Sequence, residues 1–523
     1  MQKLLILLIA SSFMNCLAWI ILIPVFQYPD EQAHFSQIQD IAELGKVPES
    51  LNTSREIAIT EEALGTDRVN LGNNKFTYNP NFNIEYTNSL FGTKEDEIKS
   101  LDKSERKTLV KRESTGNPPL YYFLGSLSYK IFSGSDIFTR IYAVRFYSAF
   151  IFLVLVYLSY QISNAIFGKK SYLPIILALL ISFKPMLVFA STGVLPDVLT
   201  NTLFTAILLF SLLILKNGFK PRYLFYLIII FILGLITRQQ FIISLPIIFS
   251  AIILHFILFP KTLRQLILVV LIPIVTILLA IFVPYMKPML DFSFPEINRP
   301  DYKLLLSPDF IAYLKSVAYK TYNETFAWYW GVYRWLSYTQ PLLYYKIIKI
   351  IIIFSVIGII LKCIRSTRPK RPSFEVISVI FLTLASIIYF AVLIVWDYFF
   401  RLDHGYTFGL QGRYLFPLVV AHLSIILFGF KELLTFFSNR IKKLSLIILP
   451  VIFILFNDLS LLNIASTYYQ TSSLKIFIIQ ASQYKPFIFK GPTIIIFLLL
   501  SLFSQFVLIK YYAKAIMKNN ESI

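Results

Sequence analysis

Within seven residues, Pro29-Asp30-Glu31-Gln32-Ala33-His34-Phe35, the chain places two carboxylates and an imidazole, the residue types of proton transfer and of divalent-metal binding. Asp30 and His34 are four apart and share a face if the segment is helical. Isolated trios of this kind are commonly plain hydrogen-bonded residues. A divalent cation held by Asp30, His34 and Asp197 is therefore one reading, and a metal-free carboxylate site is the other. Single cationic residues recur far along the chain: Arg145, Arg238 and Arg413, with Lys184 just before Pro185. A guanidinium grips phosphate or carboxylate through charge-assisted, frequently bidentate hydrogen bonds. Brought together with a carboxylate, these side chains would hold an anionic headgroup beside a reacting hydroxyl.

The elements that must position them are membrane spans. The chain has 523 residues, 56% hydrophobic and 15% charged, with mean hydropathy +0.67, and its apolar runs reach the roughly 20 residues that cross a bilayer core. The fold class expected is an all-α polytopic membrane protein with about 12 transmembrane helices. The formal charge of +20 does not point to nucleic acid, because Lys and Arg fall mostly in short linkers between apolar runs. Cys16 and Cys363 have neither zinc-site nor disulfide-framework spacing. The apolar run that reaches Phe26 is too long for a signal-peptide core and lacks a small-residue exit, so residues 1–26 read as a retained first span.

Residues 27–144 form a first extracytoplasmic loop carrying the acidic motif. Within it, residues 118–134 put Leu120, Phe123, Leu127 and Ile131 on one helical face and Ser126, Lys130 and Ser133 on the other, the pattern of an interfacial helix. Residues 145–285 hold spans two to seven, residues 286–341 a second extracytoplasmic loop, and residues 342–523 spans eight to twelve with a cytoplasmic tail. If the 118–134 segment does not cross, about twenty basic residues lie inside and about six in the short outer loops; a crossing would invert that bias. This topology puts Asp30, Glu31, His34, Arg145, Asp197, Arg238 and Arg413 at the outer ends of their spans. Charges prefer helix ends in any case, since one at mid-bilayer costs about 2.5 to 3.5 kcal/mol on insertion scales. That preference explains poorly why single arginines recur on the face the positive-inside bias empties.

In the second outer loop, Ser307-Pro308-Asp309 reads as a helix start. The aromatic run containing Trp328 and Trp330 reads as an interfacial belt or as a platform for a sugar ring or lipid headgroup, and Tyr414 beside Arg413 joins the platform reading. Gly412 would permit close backbone approach.

Taken in order, the apolar first span with Pro29-Asp30-Glu31 and His34-Phe35, Pro118-Pro119-Leu120-Tyr121-Tyr122, and Pro196-Asp197 opening a later span resemble the GT-C superfamily of membrane glycosyltransferases. Ala327-Trp328-Tyr329-Trp330-Gly331 and Gln411-Gly412-Arg413-Tyr414 resemble a bacterial branch inferred to act on the cell envelope. The resemblance runs to about residue 420, with each motif weak and the ordered set specific. It implies inverting transfer of a sugar from a polyprenyl-phosphate carrier to a glycan, lipid or protein acceptor at the outer face of the cytoplasmic membrane. Asp30 would be the general base with Glu31 beside it, and His34 and Asp197 would support it or position the acceptor. Arg413, Arg238, Arg145 and Lys184 would hold the lipid phosphate.

Two other functions fit a chain of this kind: a transporter or lipid-linked-glycan flippase, and a polysaccharide polymerase or ligase moving preassembled glycans. Against transport stand the lack of an evident twofold repeat and the scarcity of ionisable residues deep in the spans.

Overall fold

The computed structural model describes residues 2–46, 52–69, 73–74, 84–87, 89, 93–112, 115–258, 302–365 and 372–518. Among these, nine helices are long and apolar enough to cross a membrane: Gln2–Leu22, Ile137–Phe167, Asp197–Asn217, Gln239–Leu258, Leu342–Arg365, Phe374–His404, Gly412–Leu434, Asn439–Tyr468 and Thr493–Lys518. A tenth is the broken pair Leu173–Ser182 and Pro185–Thr192, bent by 61°. The break falls at Lys184, where Pro185 removes a helical donor and pushes the preceding residue out of the helical region. Lys184 itself is extended, at φ −78° and ψ 105°. The protein is a multi-pass helical membrane protein. Of the twelve spans expected, residues 222–237 form only a 15-residue helix, Pro221–Leu235, and residues 265–285 lie outside the described residues.

Small residues set the closest helix packing. A Cβ on Gly358 would meet the Gly429 carbonyl oxygen at 1.9 Å, and one on Gly429 would meet the Ser355 carbonyl oxygen at 2.2 Å. The Leu342–Arg365 helix therefore lies backbone to backbone on Val419–Leu434, the small-residue packing typical of apolar solvent.

The segment after the first span is built around two helices. Glu31–Leu44 packs on Leu120–Ile131, whose Phe123, Leu127 and Ile131 point away from the protein while Tyr121, Tyr122 and Tyr129 are buried. An ionic knot locks the pair to the Ile137–Phe167 helix. Buried Arg140 binds Glu56 and the Tyr129 hydroxyl, Gln39 Nε2 donates to Glu56 at 3.0 Å, and the Tyr129 hydroxyl donates to Glu43 at 2.9 Å. Strands are minimal. Asn52–Ser54 pairs antiparallel with Leu109–Lys111, and Val332–Tyr333 with Tyr338–Thr339. The helix start at Ser307 is present, with the Ser307 hydroxyl accepting from Phe310 N at 3.2 Å and Pro308 opening the first turn.

Candidate active site

The acidic motif ends the first helix and begins a second. Asp30 is the N-cap of Glu31–Leu44 and takes a left-handed backbone, φ 55° and ψ 18°, which Asp tolerates better than most L-residues. That turn sends adjacent carboxylates in different directions. Glu31 goes inward and is fully buried, whereas the Asp30 side chain remains 32% exposed.

Inside, Glu31 meets Arg145. The guanidinium donates to Glu31 from Nε at 2.8 Å and Nη2 at 2.7 Å. It spends its other donors on the carbonyls of Ile20 (3.3 Å), Ile23 (2.8 Å) and Pro24 (2.8 Å), at and just past the end of the first span. Glu31 also accepts from Phe26 N at 2.9 Å and Val194 N at 3.3 Å. Both charges are thus compensated, as burial in low dielectric requires. For Arg145 this replaces the expected phosphate contact, because all five N–H donors are engaged. For Glu31 it replaces proton transfer, because both oxygens are filled.

Outside the pair the arrangement is open. Arg413 Nη2 donates to Asp30 Oδ2 at 3.1 Å and Arg413 Nε to Gln411 Oε1 at 3.1 Å. Arg238 forms an ion pair with Asp197, at the first residue of the Asp197–Asn217 helix, where its N-terminal dipole favours an acid. Burial and next the charge of Arg413 lower Arg238 from its ordinary value, which places the two guanidiniums in each other's field. His34 Nδ1 lies 2.8 Å from the Tyr122 hydroxyl, which accepts from Asn117 Nδ2 at 3.1 Å. Burial pushes the Tyr122 hydroxyl up to about 12, with Arg238 acting against it and Asp30 with it. Asp30, Arg413, Asp197, Arg238, His34 and Tyr122 therefore form one cluster, although they span residues 30 to 413.

Arg413 is delivered by a backbone contact. A Cβ on Gly412 would lie 2.1 Å from Tyr329 N and 2.4 Å from Trp328 C, so the two aromatic motifs touch main chain to main chain. Thr325 Oγ1 donating to Leu410 O at 2.8 Å fixes the same junction. Gly412→Ala must separate the two segments. We expect a loss of about 1 to 3 kcal/mol in stability, the usual cost of overpacking, measurable as a lower melting temperature in detergent.

Two expected members do other work. Lys184 is fully buried, donates to the Tyr329 carbonyl and sits 4.0 Å from the Tyr329 ring centroid, 4.5 Å from Phe416 and 4.8 Å from Trp330. It braces the aromatic junction from within. Trp330 is buried against Phe453, so its ring is core rather than platform. Trp328 is only partly buried. Tyr414 keeps its place beside the cluster, with Arg413 Cζ 5.5 Å from its ring centroid. Among the described residues no group of three or more His, Cys, Asp or Glu is arranged to hold a metal. Asp30, His34 and Asp197 are turned instead to Arg413, Tyr122 and Arg238. Sequence reasoning missed Tyr389, buried edge-on against Phe204 of the Asp197–Asn217 helix; a tyrosine inside an apolar span carries no signal of its own.

The fold and the cluster define a multi-pass membrane protein with a carboxylate–arginine site at one end of its bundle. The chain matches over residues 13–422 the family described as "Predicted membrane protein (DUF2142)", and it belongs to that family. No curated protein matches its sequence. Among solved structures it is similar to ArnT from Cupriavidus metallidurans bound to undecaprenyl phosphate, at 12% identity and TM-score 0.42, covering 92% of this chain and 76% of that one. Apo ArnT from the same organism gives 11% identity and TM-score 0.38, covering 83% and 60%. The oligosaccharyltransferase AglB from Archaeoglobus fulgidus, in complex with an inhibitory peptide and a dolichol-phosphate, gives 15% identity and TM-score 0.42, covering 88% and 56%. The chain thus spans 60% of apo ArnT and 56% of AglB.

Proposed function

We propose that this protein transfers a sugar from a polyprenyl-phosphate carrier to a cell-envelope acceptor, at the extracytoplasmic face of the cytoplasmic membrane. The observation that carries the reading is the half-open Asp30–Arg413 pair beside Arg238, which sets a part-exposed carboxylate next to two cations suited to a phosphate. The motif resemblance to membrane glycosyltransferases supports the same chemistry.

In this reading the acceptor hydroxyl loses its proton to Asp30 as its oxygen attacks the anomeric carbon. The bond from that carbon to the phosphate oxygen breaks, and the lipid phosphate leaves with the electron pair. Arg413 and Arg238 bind its charge more strongly as it develops, which is the interaction that accelerates a reaction. A single displacement inverts the anomeric centre. His34, Tyr122 and Asp197 act as positioning residues, holding Asp30's helix and Arg238. A cavity of about 660 Å³ lined by Leu314, Val317, Phe326, Ile353, Phe390 and Ile394 suits an isoprenoid chain. Phe390 and Ile394 of its lining belong to the Phe374–His404 helix, which also carries Tyr389.

The test is Arg413→Leu in a transfer assay with purified polyprenyl-phosphate sugar. Charge-assisted hydrogen bonds are worth about 1.5 to 3 kcal/mol, so the apparent donor affinity falls roughly 10- to 150-fold. An unchanged KM for the donor would remove Arg413 from the phosphate.

A further inference from the structure

The cavity of about 660 Å³ has one charged corner. Its walls come from the Pro308–Lys320 helix and the turn after it, and from the membrane helices Leu342–Arg365 and Phe374–His404. Leu314, Tyr322 and Ile353 line it and yet stay 36%, 69% and 55% exposed, so the cavity is open to one side. Ile350 and Ile357, on the same helix as Ile353, are exposed as well, as expected of a face turned to lipid. Apart from Lys349, Thr321 and the Tyr322 hydroxyl the lining is apolar.

Lys349 is the eighth residue of the Leu342–Arg365 helix, roughly 10 Å along the axis from Leu342. A lysine at such a depth ordinarily runs its ammonium back toward water. Here Nζ lies over two rings of the cavity wall, 4.6 Å from the Tyr322 centroid and 5.3 Å from the Phe326 centroid. Aromatic faces attract a cation without supplying the opposite charge. Among the described residues Lys349 has neither an ion pair nor a hydrogen bond.

Thr321 directly precedes Tyr322, whose ring faces the ammonium, and it lines the same cavity. Its Oγ1 is buried without a hydrogen-bond partner, whereas a helical threonine can bond to the carbonyl four residues back. Thr325, at the end of the same turn, does find a partner in Leu410 O. Thr321 opens a π-helical turn, Thr321–Thr325, an irregularity that is frequent at functional sites. Two unused donors, one of them charged, on otherwise apolar walls match an oxyanion attached to a hydrocarbon chain. A zwitterionic headgroup carries its own cation and matches Lys349 less well. The open side admits lipid directly from the bilayer, and on the transferase reading the carrier phosphate belongs to Arg413 and Arg238, which leaves Lys349 to a different lipid.

We infer that this cavity binds an anionic glycerophospholipid, with a chain along Ile353, Phe390 and Ile394 and its phosphate on Lys349 and Thr321. The site itself stands without the transferase reading; with that reading, the phospholipid and the polyprenyl carrier compete for one cavity.

The experiment measures the melting temperature of the full-length protein in neutral detergent with phosphatidylglycerol or phosphatidylcholine of identical chains. Phosphatidylglycerol should stabilise the wild type saturably, and more than phosphatidylcholine does. Lys349→Met should remove at least half of that difference, and Lys349→Arg should keep it. Ile353→Trp, which fills the cavity from a lipid-exposed position, should weaken the response to both lipids. Equal stabilisation of the wild type by the two lipids, or an undiminished preference in Lys349→Met, would overturn the site. An undiminished response in Ile353→Trp would do the same, and that variant decides if Lys349→Met does not fold. Inorganic phosphate as effective as the phospholipid would overturn it in favour of a free anion. A Lys349→Met defect confined to undecaprenyl phosphate would overturn it in favour of the carrier. Binding is read without turnover, so a failed lipid site and a failed transferase are separate results.

Discussion

Asp30→Asn is expected to lower the sugar-transfer rate roughly 10²- to 10⁴-fold, the usual contribution of a positioned general base, with folded yield unchanged. The amide is nearly isosteric and tolerates the left-handed backbone that Asp30 adopts. Its oxygen can still accept from Arg413 Nη2. What disappears is a group able to take a proton from the acceptor hydroxyl. The defect should therefore lie in kcat, with donor KM close to the wild-type value, because Arg413 and Arg238 still face the phosphate. A transfer assay on purified protein separates the two parameters, and full activity in Asp30→Asn would exclude the base.

Arg145→Met gives the opposite pattern, a loss of the fold rather than of one chemical step. Removing one partner of a buried ion pair typically costs about 3 to 5 kcal/mol, because the remaining charge is left uncompensated. Here it also strips the carbonyls of Ile20, Ile23 and Pro24 of their donors. The stretch that carries Asp30 would lose its anchor, so activity falls with stability. Pairing it with Glu31→Gln should restore part of the melting temperature, since no bare carboxylate then remains. A double variant as unstable as Arg145→Met alone would show that the carbonyl contacts, not the pair, dominate.

These contrasting expectations mark what the residues reveal in order and what they do not. Most of the apolar runs among the described residues and the helix start at Ser307 follow from span length and capping, and are present; the break at Lys184-Pro185 interrupts a stretch whose apolar run alone reads as one continuous span. The recurrence of charges at span ends pointed to a meeting of Asp30, Asp197, Arg238 and Arg413. Their partners were not legible. Glu31 and Asp30 are neighbours of the same chemistry, and only the left-handed turn at Asp30 decides which one is sealed against Arg145. Likewise Arg145 and Arg413 each open onto an acid, but one is met by three backbone carbonyls and the other is not. Lys184 and Trp330 looked like surface groups because a position along a span says nothing of what packs around it. The junction at Gly412 was read as close approach, but not that its neighbour would be the backbone of Trp328 and Tyr329.

The most direct test is an experimental structure of the wild-type protein with a polyprenyl phosphate bound. The proposal places the phosphate within hydrogen-bonding distance of Arg413 and Arg238, with the Asp30 carboxylate facing the side from which an acceptor would approach and the lipid leading into the cavity beside Phe326 and Ile394. A phosphate bound away from both arginines, with the Asp30–Arg413 ion pair unchanged, would contradict it.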